Sequence, residues 1–176
     1  MVDATGGGAL VVERRHPGIG LGFDVHRFGA PGPLRLGGIV IDHPVGLLGH
    51  SDADALCHAV ADAVLGAAGL GDLGEHFPSS DERWRGASSL RILELVAALL
   101  PPLGLVVAGA DATVVAEQPR LAPHRSAMIL AIRTALSLPE GALSIKVKSS
   151  DGFGIIGGTE GVAALAVATV VRETAS

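Results

Sequence analysis

The sequence predicts an α+β fold in which helices pack on one face of a mixed β-sheet. Segments with the two-residue alternation of strands and segments with helical spacing both occur, but without the regular βαβ order of a parallel sheet. The second face of the sheet carries enough Ala, Val and Ile to predict that other subunits cover it. A chain of 176 residues is long enough for one domain with a buried core.

The first quarter of the chain predicts a tail and three strands. Residues 1–17 contain a glycine run and a charged cluster with little to bury, so we expect a flexible N-terminal tail before a single domain at 18–173. The first strand covers Gly18–Val25. Two short strands, Leu34–Leu36 and Ile39–Ile41, flank a Gly-Gly pair and therefore form a hairpin.

The first helix is predicted to begin at Ser51, which is a good N-cap residue. His50, Asp54 and His58 are four residues apart, so this helix would place them on one face, where Asp54 would hold the ring of His58. The free N–H groups at the start of the helix would favour an anion such as phosphate.

Five further elements complete the predicted domain. The second helix spans Ser88–Leu100 and ends at a Pro-Pro pair. A strand at Leu105–Glu117 alternates between an apolar face and a more polar one. A third helix covers Pro123–Leu136, and two strands follow at Leu143–Lys148 and Val162–Arg172.

Composition excludes several classes of partner. The formal net charge is −5 and the chain has no Lys/Arg run, so we expect no nucleic-acid partner. No apolar run is long enough to cross a membrane, and the N-terminus lacks the pattern of a signal peptide. The single cysteine, Cys57, has the spacing of a core residue and fits a reducing compartment. We therefore expect a cytoplasmic protein with no membrane partner.

Candidate metal ligands occur at the end of the first predicted strand. Asp24 and His26 are two residues apart, so in an extended chain they point to the same side. A third ligand from elsewhere would leave an open position for substrate, as in catalytic zinc sites. His58 and His50 both qualify, and the sequence pattern does not choose between them. Asp24 and His26 could also be a hydrogen-bonded pair in a turn.

Two polar loops offer further candidates. Asp72, Glu75 and Asp81 could bind substrate hydroxyls, although such charged residues usually solvate a loop. Residues 149–152, Ser-Ser-Asp-Gly, offer hydroxyls, N–H groups and a carboxylate that suit a phosphate or Mg²⁺, or equally an Asx-type turn. His50 is better placed to contact a phosphate than to enter the core.

Several ordered motifs together resemble one enzyme family. They are GFDVHRF at 22–28, LLGHSDAD at 47–54, the segment 58–81, QPRLAPH at 118–124, and KSSDG followed by TEG near the C-terminus. Their order and spacing are similar to those of the 2-C-methyl-D-erythritol 2,4-cyclodiphosphate synthase family over about Ile19 to Val171. The agreement of several motifs is more specific than any one of them.

The resemblance implies a reaction of the non-mevalonate isoprenoid pathway. The substrate would be 4-diphosphocytidyl-2-C-methyl-D-erythritol 2-phosphate, whose 2-phosphate attacks the β-phosphorus, expels CMP and closes a cyclic diphosphate. The family forms homotrimers with active sites between adjacent subunits, so the sheets would face the centre of a homotrimer. The family's zinc ligands fall on Asp24, His26 and His58, which implies one Zn²⁺ per subunit.

Other family roles transfer by position in the same way. Transition-state stabilisation falls on His50 and Ser149, and Asp151 takes the place of a Glu that holds Mg²⁺ or Mn²⁺ between the two phosphates. Residues 116–122 match the loop that reads cytosine, largely through backbone groups. The positions that match substrate-binding segments are Val25, Ser51, Asp72, Leu73, Gly74, Phe77, Pro78, Ser79, Ser80, Asp81, Ala116, Glu117, Gln118, Pro119, Arg120, Leu121, Ala122, Lys148 and Ser150.

The chain departs from the family pattern at three places. Residues 148–151 are Lys-Ser-Ser-Asp where relatives commonly have Thr-Thr-Thr-Glu, so the carboxylate of Asp151 is one methylene shorter. Residues 154–161 lack the Arg and Phe that hold an isoprenoid diphosphate in the central cavity of relatives, so we expect weak or no binding of that ligand. Ala53 replaces a usual Gly, a change that a helix would tolerate.

Two other functions stay open on the sequence alone. A zinc phosphoesterase would use the same three ligands to activate water and would hydrolyse simple phosphate esters. A non-catalytic trimer would bind cytidine nucleotides but leave the full substrate intact, because residues 148–151 had changed too far for chemistry.

Overall fold

The structure, a computed structural model, describes residues 18–152 and 160–173. The strands are β1 (Gly18–Pro31), β2 (Leu34–Leu36), β3 (Ile39–Ile41), β4 (Val45–Leu47), β5 (Leu105–Val115), β6 (Leu143–Lys148) and β7 (Gly161–Arg172). The helices are α1 (Ala55–Ala68), α2 (Leu73–His76), α3 (Ser89–Ala98) and α4 (Arg125–Ala135). Single turns of 3₁₀ helix lie at Glu82–Trp84, Pro101–Leu103 and Ala122–His124.

The predicted α+β architecture with a mixed sheet is confirmed. Five strands form one sheet in the order β4-β1-β7-β5-β6, in which β5 and β6 are parallel and the other neighbours are antiparallel. Strands β2 and β3 pair with each other as the predicted hairpin. Helix α1 packs against β1 and β7, α4 packs against β6, and α3 contacts both of these helices.

The strand that carries Asp24 and His26 is longer than predicted. Strand β1 continues past Val25 to Pro31, so His26 as well as Asp24 lies within the strand. Its added length pairs with β4, which the sequence did not predict because β4, unlike β2 and β3, is not joined to its partner strand by a Gly-Gly turn. Helix α2 is likewise a single turn within a segment predicted as loop.

The predicted start of the first helix at Ser51 is wrong. Helix α1 begins at Ala55, and its N-cap is Asp54, whose carboxylate accepts a hydrogen bond from Cys57 N at 3.0 Å. Ala53 has a φ of 58°, in the left-handed region, so it is not the helical residue that the sequence predicted. A glycine at this position would adopt that φ without strain.

The contacts of Asp54 also differ from the prediction. Its two carboxylate oxygens accept hydrogen bonds from Gly37 N at 2.8 Å and Gly38 N at 2.6 Å, which ties the hairpin to the start of α1. Asp54 therefore does not hold the ring of His58. Because the helix starts later than expected, His50 lies before it and does not share a helical face with Asp54 and His58. The carboxylate of Asp54 occupies the N-terminal capping position at which the sequence predicted a phosphate.

Helix α1 lies unusually close to β1 because two positions of the strand are glycine. A Cβ atom at Gly22 would lie 1.9 Å from the carbonyl oxygen of Ala59, and one at Gly20 would lie 2.0 Å from that of Ala63. Ala166 is the partner of Gly22 on β7, so small side chains continue across the sheet beneath the helix. The sequence of the strand thus sets the depth at which α1 packs.

The opposite face of β1 is apolar and exposed in the single chain. Ile19, Leu21, Phe23 and Val25 alternate with the residues beneath α1, and their exposed fractions are 70%, 68%, 49% and 52%. Val167 on the neighbouring strand is 41% exposed. The apolar second face that the sequence predicted is therefore present.

Several predictions concern the termini, the cysteine and membrane segments. The predicted tail at 1–17 lies outside the described residues. Cys57 is buried, as predicted, and burial raises the pKa of its thiol well above the ordinary value. Within the described ranges, no helix is long and apolar enough to cross a membrane.

Replacing Gly22 with alanine should destabilise the domain, because the added methyl group would overlap the carbonyl oxygen of Ala59. We expect Gly22→Ala to lower the free energy of unfolding by at least about 2 kcal/mol, measured by urea denaturation. Gly66→Ala is the matched control on α1, since its Cβ would meet Gly20 Cα at 3.7 Å, an ordinary contact, and alanine favours a helix. Equal stability of the two variants would contradict this account of the packing.

Candidate active site

Asp24, His26 and His58 form the polar cluster at the centre of the site. Asp24 and His26 both face α1, and α1 carries His58. Asp24 Oδ2 lies 2.9 Å from His26 Nε2 and 2.9 Å from His58 Nδ1, and the two imidazole nitrogens are 3.3 Å apart. Of the two histidines that the sequence left open, the structure therefore joins His58 to the pair.

The electrostatics of the cluster favour positive charge beside a carboxylate. Burial alone would raise the pKa of Asp24, but hydrogen bonds and charge from His26 and His58 hold that pKa well below its usual range. Burial would lower the pKa of His26, yet the neighbouring Asp24 raises it above its ordinary value. An ionised Asp24 is what a cation bound between these three side chains requires.

The donor set fits a divalent transition metal such as Zn²⁺. One carboxylate oxygen and two imidazole nitrogens all lie within 4.8 Å of one another, and such a three-ligand set leaves an open position for substrate. His26 Nδ1 lies 2.7 Å from the carbonyl oxygen of Leu48. A carbonyl only accepts, so in the neutral ring Nδ1 donates and Nε2 presents its lone pair to the cluster.

The cluster opens into a cavity of about 460 Å³. The other residues lining it are His50, Ser51, Asp62, Asp72, Leu73, Gly74, Phe77, Ser79, Trp84 and Ile92. Among the residues that the structure describes, His50 Nε2 is buried and has no hydrogen-bond partner. A buried nitrogen in this state is satisfied only by a ligand or water in the cavity.

Three residues of this cavity, Asp62, Trp84 and Ile92, were missed by the sequence prediction. Asp62 lies one helical turn after His58, and its carboxylate accepts a hydrogen bond from Leu73 N at 2.7 Å, while burial raises its pKa. Helical spacing from His58 was the signal that could have found it. Trp84 packs edge-on against Phe77 with ring centroids 4.8 Å apart, and it reaches the cavity through a 3₁₀ turn that was not predicted.

A second, smaller cavity lies at the ends of β5 and β6. Its volume is about 220 Å³, and its lining residues are Ala116, Glu117, Pro119, Arg120, Leu121, Ala122, Val147, Lys148 and Ser149. Glu117 accepts hydrogen bonds from Ser150 N at 2.6 Å and Gly152 N at 3.4 Å, and the bonds from Ser150 lower its pKa. Ser149 Oγ donates to Asp151 Oδ1 at 2.9 Å. Glu117 thus ties the loop after β5 to the loop after β6.

The two cavities are separate within one chain. Strands β1 and β6 are three positions apart in the sheet, which corresponds to roughly 14 Å between their backbones. His50 and Ser149, which the resemblance pairs in catalysis, therefore line different cavities. The predicted substrate-binding residues are divided between them in the same way.

Some predicted residues line neither of these cavities. They are Val25, Pro78, Ser80, Asp81, Gln118, Ser150 and Asp151. The side chain of Val25 is on the opposite face of the sheet, and the carboxylate of Asp81 accepts a hydrogen bond from Arg83 at 2.6 Å. Most of residues 154–161 lie outside the described ranges, so weak or absent isoprenoid diphosphate binding stays a prediction.

Comparison with known proteins gives consistent matches along the chain. The model of the YgbB family matches residues 18–171. A 2-C-methyl-D-erythritol 2,4-cyclodiphosphate synthase from Salinibacter ruber is 49% identical over 152 residues, which cover 86% of this chain and 97% of that protein. The enzyme of the same name from Alkaliphilus oremlandii is 43% identical over 154 residues, covering 88% and 98%.

A solved structure shows the same fold. It is a 2C-methyl-D-erythritol-2,4-cyclodiphosphate synthase in a CDP-bound form, with a TM-score of 0.79 and 38% sequence identity. The match covers 87% of this chain and 99% of that one. Because the family model covers nearly all of the domain and the relatives match over almost their whole length, the chain belongs to the YgbB family.

Proposed function

We propose that this protein converts 4-diphosphocytidyl-2-C-methyl-D-erythritol 2-phosphate to 2-C-methyl-D-erythritol 2,4-cyclodiphosphate and CMP, in the non-mevalonate pathway to isoprenoids. The observation that carries this proposal is the cluster of Asp24, His26 and His58 at a cavity, in a chain similar along its length to synthases of that name. The protein is then a metal-dependent phosphorus–oxygen lyase.

The chemistry makes simple demands on the site. An oxygen of the 2-phosphate forms a bond to the β-phosphorus, and the bond from that phosphorus to the bridging oxygen breaks, so its electron pair leaves with CMP. The nucleophile is already ionised and the leaving group is a phosphate, so little proton transfer is needed. Positioning and charge neutralisation are therefore the main contributions of the protein.

Asp24, His26 and His58 would hold Zn²⁺, and Asp151 would hold Mg²⁺ or Mn²⁺. When bound, these ions supply the positive charge that adjacent phosphate groups need in order to react. The unpartnered His50 Nε2 supports a role in donating to a phosphate in the first cavity. Ser149 is assigned the equivalent role on the loop after β6.

The two cavities suit the two ends of the substrate. The backbone N–H of Leu73 is fixed by its bond to Asp62, and residues 72–74, 77 and 79 line the first cavity beside the metal cluster. We assign the methylerythritol unit to this cavity, with residues 72–74 and 77–81 as its binding segments. Residues 116, 117 and 119–122 line the second cavity, and we assign the cytosine to the loop 116–122 there. We assign Ser51 to the residues that bind the methylerythritol unit, and Lys148 and Ser150 to those that bind the cytidine end of the substrate.

A homotrimer would bring these halves together. The exposed apolar face of β1 is suited to pack against copies of itself around a central axis. The second cavity of one copy would then complete the first cavity of its neighbour, which accounts for their separation within one chain. We assign the enzyme to the cytoplasm, where its single buried cysteine would stay reduced.

The reaction itself is the first test. Purified protein with Zn²⁺ and Mg²⁺ should form the cyclic diphosphate and CMP from the full substrate, followed by phosphorus NMR. Heavy-oxygen water should leave no label in either product, because water takes no part. Hydrolysis of simple phosphate esters without a cyclic product would instead indicate a phosphoesterase, and nucleotide binding with intact substrate a non-catalytic trimer.

His58→Ala should lose both bound zinc and most of the activity, because one of three ligands is removed. Mutation of a residue that only hydrogen-bonds to a metal ligand typically lowers metal affinity roughly 10- to 100-fold, and we expect the loss of a ligand to lower zinc affinity by more than that. Competition with a chelator measures the affinity, and His124→Ala, outside both cavities, is the control that should retain its zinc. Full zinc occupancy and activity in His58→Ala would disqualify the ligand set.

Leu21→Glu should dissociate the trimer, because it would bury a charge where apolar side chains meet. Light scattering after size exclusion should show a shift from three chains to one, with loss of activity. Leu130→Glu is the matched control, since this leucine on α4 is 55% exposed on a different surface. A trimeric Leu21→Glu protein would show that the face of β1 is not the interface.

A further inference from the structure

We propose that Asp52 and Ser89 are positioning residues for the metal site, which together determine the ring nitrogen of His58 that carries its proton. Neither residue was assigned a role by the sequence motifs. The inference rests on the metal site proposed above, and it concerns the side of His58 that faces away from Asp24.

The three residues form a chain of hydrogen bonds behind the metal cluster. Ser89, the first residue of α3, is fully buried. Its backbone N donates to Asp52 Oδ2 at 3.0 Å, and its hydroxyl donates to Asp52 Oδ1. Ser89 Oγ lies 3.0 Å from His58 Nε2. His58 is itself only 8% exposed, so water has little access to compete with these bonds.

The direction of each bond follows from which group can donate. A carboxylate only accepts, so the hydrogen of the Ser89 hydroxyl is committed to Asp52. Only oxygen lone pairs of Ser89 then face His58 Nε2, so that nitrogen must carry the proton. The other nitrogen, Nδ1, lies 2.9 Å from Asp24 Oδ2, which is also only an acceptor, so without a metal Asp24 competes for a proton there. A proton kept on Nε2 by Ser89 leaves the Nδ1 lone pair available to an ion bound between Nδ1 and Asp24.

Ser51 does not determine the proton position in the same way. Its Oγ is also 3.0 Å from His58 Nε2, but among the described residues it is otherwise engaged only by a long hydrogen bond from Ala53 N at 3.4 Å. A hydroxyl that is not committed to a carboxylate can donate or accept, so it is compatible with either tautomer. The pair of Asp52 and Ser89 therefore sets the direction of the hydrogen bond at His58 Nε2.

A simpler role for Asp52 is to cap α3. Ser88, the N-cap of α3, makes no side-chain hydrogen bond, and Asp52 instead accepts from the N–H of Ser89. This role would stabilise the helix without affecting the metal. An experiment must therefore preserve the cap while changing the direction of the bond to the hydroxyl.

The substitution Asp52→Asn separates the capping role of Asp52 from its effect on the Ser89 hydroxyl. The amide oxygen can still accept from Ser89 N, but the amide nitrogen would donate to Ser89 Oγ, which frees the hydroxyl to donate to His58 Nε2. The proton of His58 then moves to Nδ1, where it opposes a metal. We expect zinc affinity about 10- to 100-fold lower than in the unmodified protein, with an unchanged melting temperature.

Asp42→Asn is the matched control, because Asp42 is exposed and lies outside the first cavity. Affinity is measured by chelator competition, and the tautomer of His58 by histidine-selective nitrogen NMR on the zinc-free protein. A proton on Nε2 in the unmodified protein and on Nδ1 in Asp52→Asn, together with weaker zinc binding, would support the proposal. Equal zinc affinity, or a proton on Nδ1 alone in the unmodified protein, would overturn it.

The same measurements distinguish this inference from the proposed function. If the unmodified protein bound no zinc, the metal site would fail, whereas the NMR spectrum would still test the tautomer. If Asp52→Asn did not fold, Ser89→Ala would take its place, since it removes the acceptor oxygen. We expect Ser89→Ala also to bind zinc more weakly and to show both tautomers, and wild-type affinity with Nε2 alone protonated would count against the proposal.

Discussion

The close packing of α1 against β1 is the constraint on which the whole site depends. Glycine at position 22 lets the helix approach so closely that the carbonyl oxygen of Ala59 lies 1.9 Å from the point where a Cβ atom would be. The residue before Ala59 is His58, and the next residue of β1 on the same face after Gly22 is Asp24. Metal–ligand bonds of about 2 Å tolerate little variation, so the depth of this packing sets whether the three ligands can share an ion.

Charge explains why such a site needs cations. The chain carries a net charge of −5, and the first cavity contains the carboxylates of Asp24, Asp62 and Asp72. A cavity of this kind repels a substrate that has several phosphate groups. A divalent ion held by Asp24 and the two histidines would reverse the sign of the potential locally, and the depressed pKa of Asp24 keeps that carboxylate ionised. The fold therefore supplies the ligand atoms, and a bound metal ion would supply the attraction for the phosphate groups.

Features with a local signal could be predicted from the sequence, and features that depend on distant contacts could not. Alternation placed Asp24 and His26 on one side of a strand, and the Gly-Gly pair identified the hairpin. The start of α1 depends on Asp54, which bonds to backbone groups 16 and 17 residues earlier. Ser89 lies 31 residues from His58, and no spacing pattern marks a serine as the partner of a buried imidazole. Roles in the loops came from motif resemblance and not from geometry.

The division of one chain into two cavities has a genetic consequence. Suppose that each active site takes its metal ligands from one subunit and its nucleotide loop from the next. A mutation at His58 then damages the first cavity, and a mutation at Glu117 damages the second. Trimers that contain both mutant proteins would have some subunit interfaces at which both cavities of the active site are intact. Two inactive alleles expressed in the same cell should therefore complement each other in part, which two defects in the same half would not do.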